Sequence, residues 1–349
     1  MTIKARDLEL IKELEKESVV QLKQCEFKEL TKVEKGGYSV DVTGDVNGIA
    51  FYRVPMTSLP RSLVHFKKLE KLVLSEVEVE DCSLLQGMNQ LSFLDLSGNK
   101  IRDISPLRLL TQLTSLSLSY NQISDISPIR KLNQLTNLDL RFNKVNDISP
   151  LQGLTQLKFL ELKCNQIIDI APILELTQLT SLDLRYNKIN EISSIRVLTH
   201  LRNLDLGYNK ITHLPREIAL GKMDIWHEDI FLRPGLNLGG NPLESPPIEI
   251  IDQSPTAVRN YFEQLAKESL LLLESKLLIV GGGEVGKTSL MRKLLDNDFV
   301  VEPGREPTTH GIKIKPWCLS CSLENDTQPS RDINLSIWDF GGQAIYHST

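Results

Sequence analysis

A glycine-rich segment, IVGGGEVGKTS between Ile279 and Ser289, carries the residue types with the most specific chemistry in the chain. Its spacing fits the pattern G-x-x-x-x-G-K-[ST]. In that pattern the backbone N–H groups of the loop surround phosphate oxygens, the lysine reaches the β- and γ-phosphates, and the hydroxyl binds Mg²⁺. The residues predicted to bind nucleotide phosphate are Gly281, Gly282, Gly283, Glu284, Val285, Gly286, Lys287, Thr288 and Ser289.

The same glycines allow two other interpretations. Gly281, Gly283 and Gly286 also satisfy G-x-G-x-x-G, the fingerprint of dinucleotide-binding folds. A glycine-rich turn can also occur without any ligand. Neither alternative requires the lysine and threonine that follow the last glycine, so the phosphate-binding loop is favoured.

A phosphate-binding loop needs a strand before it and a helix after it. The run Lys276–Val280, KLLIV, is short and apolar, as expected for a buried parallel strand. After the loop, Leu290, Met291, Leu294 and Leu295 have the spacing of one helical face. The helix N-terminus would add a favourable potential for an anion.

A second segment with acidic and glycine residues follows another predicted strand. Residues 333–338, INLSIW, alternate in polarity and lead into Asp339, Gly342 and Gln343 within DFGGQ. In phosphate-loop nucleotidases an acidic residue at this place holds Mg²⁺, and a glutamine orients the attacking water. The letters D-F-G also occur in protein kinases, but no H-R-D or V-A-I-K segment precedes them here, so no kinase is predicted within these residues.

The central part of the chain is an internal repeat. Leucines recur every 22 residues from Leu69 to Leu201, and asparagines keep the same period from Asn99 to Asn209. One unit cannot bury its leucines alone, so the units must stack into a solenoid whose asparagines bond the backbone of neighbouring coils. The unit L-x-x-L-x-L-x-x-N-x-I resembles the leucine-rich repeat and predicts a parallel β-sheet horseshoe.

Polar and aromatic residues alternate with the buried leucines on the predicted concave face of this solenoid. Tyrosine and arginine are frequent hot-spot residues of protein interfaces, so the face is predicted to bind a protein partner. Alternatively, the charges only solvate the sheet and the rings pack along its rim. The candidate partner-binding residues are Tyr120, Arg141, Phe142, Lys163, Arg185, Tyr186 and Tyr208.

The phosphate-binding loop, the T-x-G-I segment at residues 309–312 and the W-D-F-G-G-Q segment at residues 338–343 together resemble the Ras-like GTPase domain of Roco proteins. Bacterial members of that family place leucine-rich repeats before the domain. The resemblance implies a GTP- and GDP-binding switch that uses Mg²⁺, and an intact protein that hydrolyses GTP to GDP and phosphate.

The resemblance also implies roles for single residues. Lys287 contacts phosphate, Gln343 orients water, and Thr309 senses the γ-phosphate, with Thr308 as an alternative for Thr309. These three, Lys287, Thr309 and Gln343, are the implied catalytic residues. Asp339 and Gly342 complete the nucleotide-binding set as the D-x-x-G of the second switch. The implied Mg²⁺ ligands are Thr288, Thr309 and Asp339.

The predicted fold class is α/β, a leucine-rich-repeat solenoid followed by the first part of a P-loop Ras-like domain. Residues 1–45 are predicted as an N-terminal cap, 46–250 as the solenoid, 251–274 as a linker helix and 275–349 as the partial GTPase domain. The linker is either a rigid spacer or a coupling element. The N-K-x-D-type guanine-reading segment and the dimerising COR region that the resemblance implies are missing from these residues, so we interpret the chain as a fragment or a truncated gene product. The resemblance implies that the intact protein can form a homodimer through that missing region.

Composition restricts the remaining possibilities. A net charge of −5 argues against nucleic acid or anionic lipid as the partner. No apolar run reaches the roughly 20 residues of a membrane span, and the N-terminus lacks the apolar region of a secretory signal. Five scattered cysteines fit reduced thiols, which favours the cytoplasm.

Two rival functions stay open. The chain could act only as a protein-binding scaffold with an incomplete, inactive nucleotide domain. It could also be an ATP-driven repeat sensor of the plant immune type, although those proteins place the nucleotide domain before the repeats and lack W-D-F-G-G-Q.

Overall fold

A computed structural model of the chain describes residues 2–220, 224–226, 234–271, 274–279, 287–296, 298, 300, 312–321 and 331–340. The chain divides into two compact units, Met1–Phe262 and Glu263–Thr349. The first unit contains the repeats, and the second contains the strands and helix on either side of the predicted phosphate-binding loop. The predicted bounds of the four segments stay predictions.

The first unit is organised around one long sheet. Among the described residues it has twelve strands in the order β1 to β10, β12, β11. Neighbours pair in parallel, except for the antiparallel pair β2–β3. The strands are β1 Lys23–Gln24, β2 Gly36–Val40, β3 Val46–Tyr52, β4 Lys71–Ser75, β5 Phe93–Asp95, β6 Ser115–Ser117, β7 Asn137–Asp139, β8 Phe159–Glu161, β9 Ser181–Asp183, β10 Asn203–Asp205, β11 Ile225–Trp226 and β12 Gly235–Asn237.

The register of this sheet confirms that the 22-residue period is one coil of a solenoid. Leu94 is the strand partner of Leu116, and Leu116 is the partner of Leu138. Equivalent leucines therefore stack into a continuous core, and most of them are completely buried. The predicted leucine-rich-repeat fold is thus confirmed, and stability comes from contacts between successive coils.

The return segments are short 3-10 helices that begin at the D-I-S-P sequences. In the first of these, Ser105–Leu109, a proline occupies the first turn, where no hydrogen-bond donor is required. The Asp103 carboxylate accepts a 2.8 Å hydrogen bond from the Ser105 N–H. The same bond recurs from Ser127 to Asp125 and from Ser149 to Asp147, so each aspartate fixes the start of its return segment.

The repeated asparagines form the predicted ladder. The side chain of Asn121 donates hydrogen bonds to the carbonyls of Leu96 and Leu118, at 2.9 and 3.0 Å, and accepts one from the N–H of Ile101 at 3.0 Å. Because Leu96 and Ile101 belong to the preceding coil, each asparagine joins two coils. The sister residues Asn99, Asn165, Asn187 and Asn209 make equivalent bonds.

The N-terminal segment packs against the first coils on both sides of the sheet. Helix α1, Ala5–Ser18, packs its buried face against the leucine core. The 3-10 helix Phe27–Lys32 lies on the opposite face of the sheet, where Leu30 packs on Ala50 and Val73. Gly48 allows this approach, since an added Cβ would lie 2.2 Å from the side chain of Leu30. The open part of that face therefore begins at β5.

Helix α2, Arg216–Ala219, lies between β10 and β11. Two helices follow β12, and they are α3 Ile248–Gln253 and α4 Pro255–Leu271. As predicted from Ser254-Pro255, the Ser254 hydroxyl caps α4 by accepting a 3.0 Å hydrogen bond from the N–H of Ala257. Val258 and Phe262 of α4 are buried in the repeat core, which closes the C-terminal end of the solenoid. Across the described residues, no helix is both long and apolar enough to cross a membrane.

Among its described residues, the second unit contains the last part of α4, a smaller sheet and one further helix. Strands β13 Glu274–Ile279, β14 Ile312–Cys321 and β15 Arg331–Phe340 are ordered β13-β15-β14, and helix α5 spans Lys287–Leu295. Met291 of α5 packs against Ile279 and Ile337 in a small core. Leu290, expected on the same helical face, is instead 52% exposed.

Candidate functional site

The sheet of the second unit sets side by side the strand ends that flank the predicted nucleotide segments. β13 and β15 are parallel, and Ile279 at the end of β13 is the strand partner of Asp339. β14 runs antiparallel to β15, and its first residue, Ile312, pairs with Phe340. The end of β13, the start of β14 and the end of β15 therefore lie at the same end of the sheet.

Helix α5 begins directly after the phosphate-binding loop, as the sequence predicts. Lys287 is its first residue and is 8% exposed, which is unusually low for a lysine. Thr288 and Ser289 follow in the first turn and are half-buried. A buried lysine beside a threonine hydroxyl at a helix N-terminus suits an anionic phosphate with a metal ion.

The remaining predicted nucleotide residues divide into two groups. Asp339 lies in the backbone of β15, at the strand end next to Ile279. The other predicted residues lie outside the described residues; they are Gly281, Gly282, Gly283, Glu284, Val285, Gly286, Thr308, Thr309, Gly342 and Gln343. Their roles stay predictions.

The sheet face opposite the leucine core of the repeats, called the concave face here, carries a ladder of ion pairs. Arg141 pairs with Asp139 at 2.8 Å and approaches Glu161 at 3.8 Å. Arg185 pairs with Asp183 at 2.6 Å and reaches the next coil at 3.2 Å. Since residues two apart lie on the same face of a strand, each arginine meets the carboxylate of its own coil and of the following coil.

This ladder perturbs its carboxyl groups. Burial raises the pKa of Glu161 to about 7, and repulsion from Asp183 and Asp139 adds to the rise, while Arg141 counteracts it. Burial likewise raises the pKa of Asp205 to about 6. The centre of the concave face is therefore able to change its charge near neutral pH.

Aromatic residues form a separate column at the turn that ends each strand. Tyr120 and Phe142 stack with ring centroids 4.2 Å apart, and Tyr186 and Tyr208 stack at 4.3 Å. These residues share a left-handed backbone, with φ of 54–55°. The predicted aromatic candidates are thus brought together in pairs, and Tyr120 and Tyr186 are 55% and 43% exposed.

Two residues of the column were absent from the predicted binding set. Cys164 has the same left-handed backbone, with φ of 56°, and occupies the position between the two aromatic pairs. Gly240 ends the column, and an added Cβ there would lie 2.6 Å from the ring of Tyr208. Aligning the coils at 22-residue spacing would have revealed Cys164, because it precedes Asn165 as each ring precedes its asparagine.

Comparisons with known families match both parts of the chain. The family described as "Ras of Complex, Roc, domain of DAPkinase" matches residues 276–349. The family described as "Leucine Rich repeats (2 copies)" matches four overlapping segments that together span residues 111–216.

Named relatives share only part of the chain. It is 37% identical over 124 residues, 33% of this chain, to "Probable serine/threonine-protein kinase pats1" of Dictyostelium discoideum. It is 35% identical over 149 residues, 38% of this chain, to a "Roc-COR-CHAT protease" of an unknown prokaryotic organism. The matched segments amount to 4% and 14% of those two proteins.

A solved structure of internalin C2 from Listeria monocytogenes is also similar. It shares 31% identity with this chain, and the alignment covers 48% of this chain and 74% of the internalin with a TM-score of 0.46. This likeness adds nothing to what the coils themselves show about the fold.

The fold and the family matches define a leucine-rich-repeat protein whose repeats are followed by a Roc domain, a domain of the Ras-like GTPase family. The chain therefore has the Roco-type architecture of repeats followed by Roc.

Proposed function

We propose that this chain is the repeat and Roc portion of a GTP-hydrolysing switch, and that its repeats bind a protein partner. The observation that supports the nucleotide site is the pairing of Ile279 with Asp339. This pairing brings the strand end before the phosphate-binding loop beside the strand end that carries the acidic residue. P-loop nucleotidases use this arrangement to hold a nucleotide and its metal ion.

The chain's own residues then have distinct tasks. Lys287, at the start of α5, binds the β- and γ-phosphates, and the N–H groups of the glycine loop surround their oxygens. Gln343 orients the attacking water, and the N–H of Gly342 binds the γ-phosphate. Loss of that phosphate releases the segments around Thr309 and Gly342, so their order reports whether GTP or GDP is bound.

Mg²⁺ fits the donor set that these segments offer. The hydroxyls of Thr288 and Thr309 and the carboxylate of Asp339 are oxygen ligands, which Mg²⁺ prefers. Thr288 lies in the first turn of α5, and Asp339 lies at the adjoining strand end. When bound, Mg²⁺ would neutralise charge on the β- and γ-phosphate oxygens.

The partner-binding part of the proposal rests on the concave face. Its described strands carry paired charges, and its rim carries exposed stacked rings. Such a surface suits a protein partner, because aromatic and arginine residues dominate protein hot spots. A cytoplasmic signalling role belongs to the same proposal, and the cysteines Cys25, Cys82 and Cys164 are free thiols, as a reducing compartment requires.

Release of phosphate from nucleotides tests the catalytic part of the proposal. We expect Mg²⁺-dependent hydrolysis of GTP, and Lys287→Ala to weaken nucleotide binding about 10- to 100-fold, since a hydrogen bond to a charged group is worth about 1.5–3 kcal/mol. Lys293→Ala is the matched control, because Lys293 lies exposed on the same helix. If Lys287→Ala hydrolyses GTP as well as the unchanged chain does, the assigned site is wrong. If the chain binds protein partners but no nucleotide, the switch function is wrong and the chain acts as a protein-binding scaffold.

A further inference from the structure

The aromatic column of the repeats is interrupted at one coil. Phe142 and Tyr186 lie two coils apart, with Cys164 between them at the same backbone position. Two strand spacings amount to about 9.6 Å, so a planar group placed midway would lie about 4.8 Å from each ring. That spacing is close to the 4.2 and 4.3 Å of the existing stacks. The gap over Cys164, called the Cys164 slot here, has room for one planar side chain.

The slot already attracts positive charge. The ammonium of Lys163 lies over both bordering rings, 5.7 Å from the centroid of Phe142 and 5.3 Å from that of Tyr186. The faces of aromatic rings attract cations, and two rings on either side of one charge reinforce each other. An uncharged aromatic ring would fit the size of the slot, but it has no positive charge for the two ring faces to attract.

The surrounding concave face has an excess of carboxylates. From the coil of β5 to the coil of β10, this face carries five carboxylates against three cations. The carboxylates are Asp95, Asp139, Glu161, Asp183 and Asp205, and the cations are Arg141, Lys163 and Arg185. A partner that contributes a cation therefore improves the charge balance of the face.

Lys163 has an alternative position if an incoming group takes its place. Glu161 lies two residues earlier on the same strand face. Arg141 and Arg185 use this i, i−2 arrangement with Asp139 and Asp183, at 2.8 and 2.6 Å. The lysine can thus leave the rings and still meet a carboxylate of its own coil. Its flexible four-carbon stem makes that change easy.

We propose that the Cys164 slot binds an arginine side chain of a protein partner, whose guanidinium stacks between Phe142 and Tyr186 and displaces Lys163. The inference rests on the proposed role of the concave face in partner binding and names the chemistry of its central contact. A guanidinium is planar, permanently charged and weakly hydrated, so it meets both the shape and the potential of the slot.

Saturation-transfer NMR on the whole chain with N-acetyl-arginine amide as the probe tests the proposal. N-acetyl-lysine amide has the charge without the plane, and N-acetyl-citrulline amide has the plane without the charge. We expect arginine amide to bind at least about threefold more tightly than either analogue. Equal binding of citrulline amide or of lysine amide would overturn the proposal.

Two substitutions locate the binding. Cys164→Tyr fills the slot and should fold, because four sister coils accept an aromatic ring on the same backbone; we expect arginine amide binding to fall at least about fivefold. Lys163→Gln removes the competing cation and should tighten binding about threefold. Lys158→Gln is its matched control, since Lys158 is exposed on the same coil.

The outcomes separate this proposal from the broader one. If Cys164→Tyr leaves arginine binding intact, or if Lys158→Gln tightens it as much as Lys163→Gln does, the carboxylates bind arginine elsewhere and the slot is refuted. The concave face would then still be a binding surface. If Cys164→Tyr lowers the far-ultraviolet circular dichroism signal of the repeats, that variant is misfolded. The comparison of Lys163→Gln with Lys158→Gln then decides whether arginine binds in the slot. Nucleotide binding is unaffected by any of these outcomes and tests the switch separately.

Discussion

The asparagine ladder allows a quantitative prediction for Asn121→Ala. Asn121 is buried, and its side chain satisfies backbone groups on two coils: the carbonyls of Leu96 and Leu118 and the N–H of Ile101. Alanine can replace none of these bonds. The Leu96 and Leu118 carbonyls keep the hydrogen bonds that they accept from Asn99 and Asn143. The substitution therefore leaves one backbone group, the N–H of Ile101, without its partner inside the solenoid.

The cost follows from this one unsatisfied donor. A buried group left unsatisfied costs about 1–3 kcal/mol, so we expect the free energy of unfolding of the repeat unit to fall by about 2 kcal/mol. At about 2–4 °C per kcal/mol for a unit of this size, the melting temperature should fall by about 4–8 °C.

Urea unfolding followed by far-ultraviolet circular dichroism measures the change in the free energy of unfolding. If the dependence of that free energy on urea concentration is the same in both proteins, the substitution leaves the unfolded state unaffected. Amide hydrogen exchange at Ile101 gives a local reading and should become faster in the variant. Asn203→Ala is the control, since Asn203 is exposed on its strand, and should change stability by less than about 0.5 kcal/mol. If Asn121→Ala destabilises the protein no more than this control, the ladder does not hold the coils together.

Three further predictions concern the repeats. Because burial raises the pKa of Glu161 to about 7, the folded protein loses stability as pH rises from about 4.5 to 7; Glu161→Gln should therefore stabilise it at pH 8 but not at pH 4.5. The gain, read from urea midpoints at both pH values, should be about 1 kcal/mol, since a third of the side chain is exposed and screened. The side chain of Arg185 is 15% exposed and lies between two carboxylates, so Arg185→Ala should lower the free energy of unfolding by about 3 kcal/mol. Arg141 is more exposed, so Arg141→Ala should lower it by about 1 kcal/mol. Thermal melts of both variants measure the difference, and equal losses of stability would contradict this prediction. Leu138→Ala should cost about 2–5 kcal/mol by leaving a cavity, whereas Leu109→Ala, at an exposed position, should cost far less in the same urea assay.

The periodic parts of the fold could be predicted from the sequence, because every coil repeats the same physical problem. The leucine spacing fixes one coil per 22 residues, and the asparagine spacing fixes the ladder. The covering of the concave face by Phe27–Lys32 could not be predicted, because it depends on a non-repeating contact between Leu30 and Val73. The position of β12 between β10 and β11 could not be predicted either. An insertion between two coils supplies β11, and this strand pairs on the outer side of β12 although it comes before β12 in the chain.

The candidate nucleotide site shows the same limit. The residue types around Lys287 and Asp339 predict phosphate and metal chemistry from spacing alone. Which strands are neighbours is not encoded by strand alternation. The structure gives that choice through the Ile279–Asp339 register, which sets the ends of β13 and β15 side by side. The Cys164 slot could be predicted only in part. The 22-residue period gives the position of Cys164, but the gap is shown only by the stacking of the rings on either side.

Calorimetric titration of the chain with GTPγS, GDP and ATP, with and without Mg²⁺, tests the central claim most directly. The account predicts Mg²⁺-dependent binding that prefers guanine nucleotides, is weakened about 10- to 100-fold in Lys287→Ala and is kept in Lys293→Ala. Equal affinity for ATP, or no heat of binding with GTPγS and GDP in the presence of Mg²⁺, would contradict it.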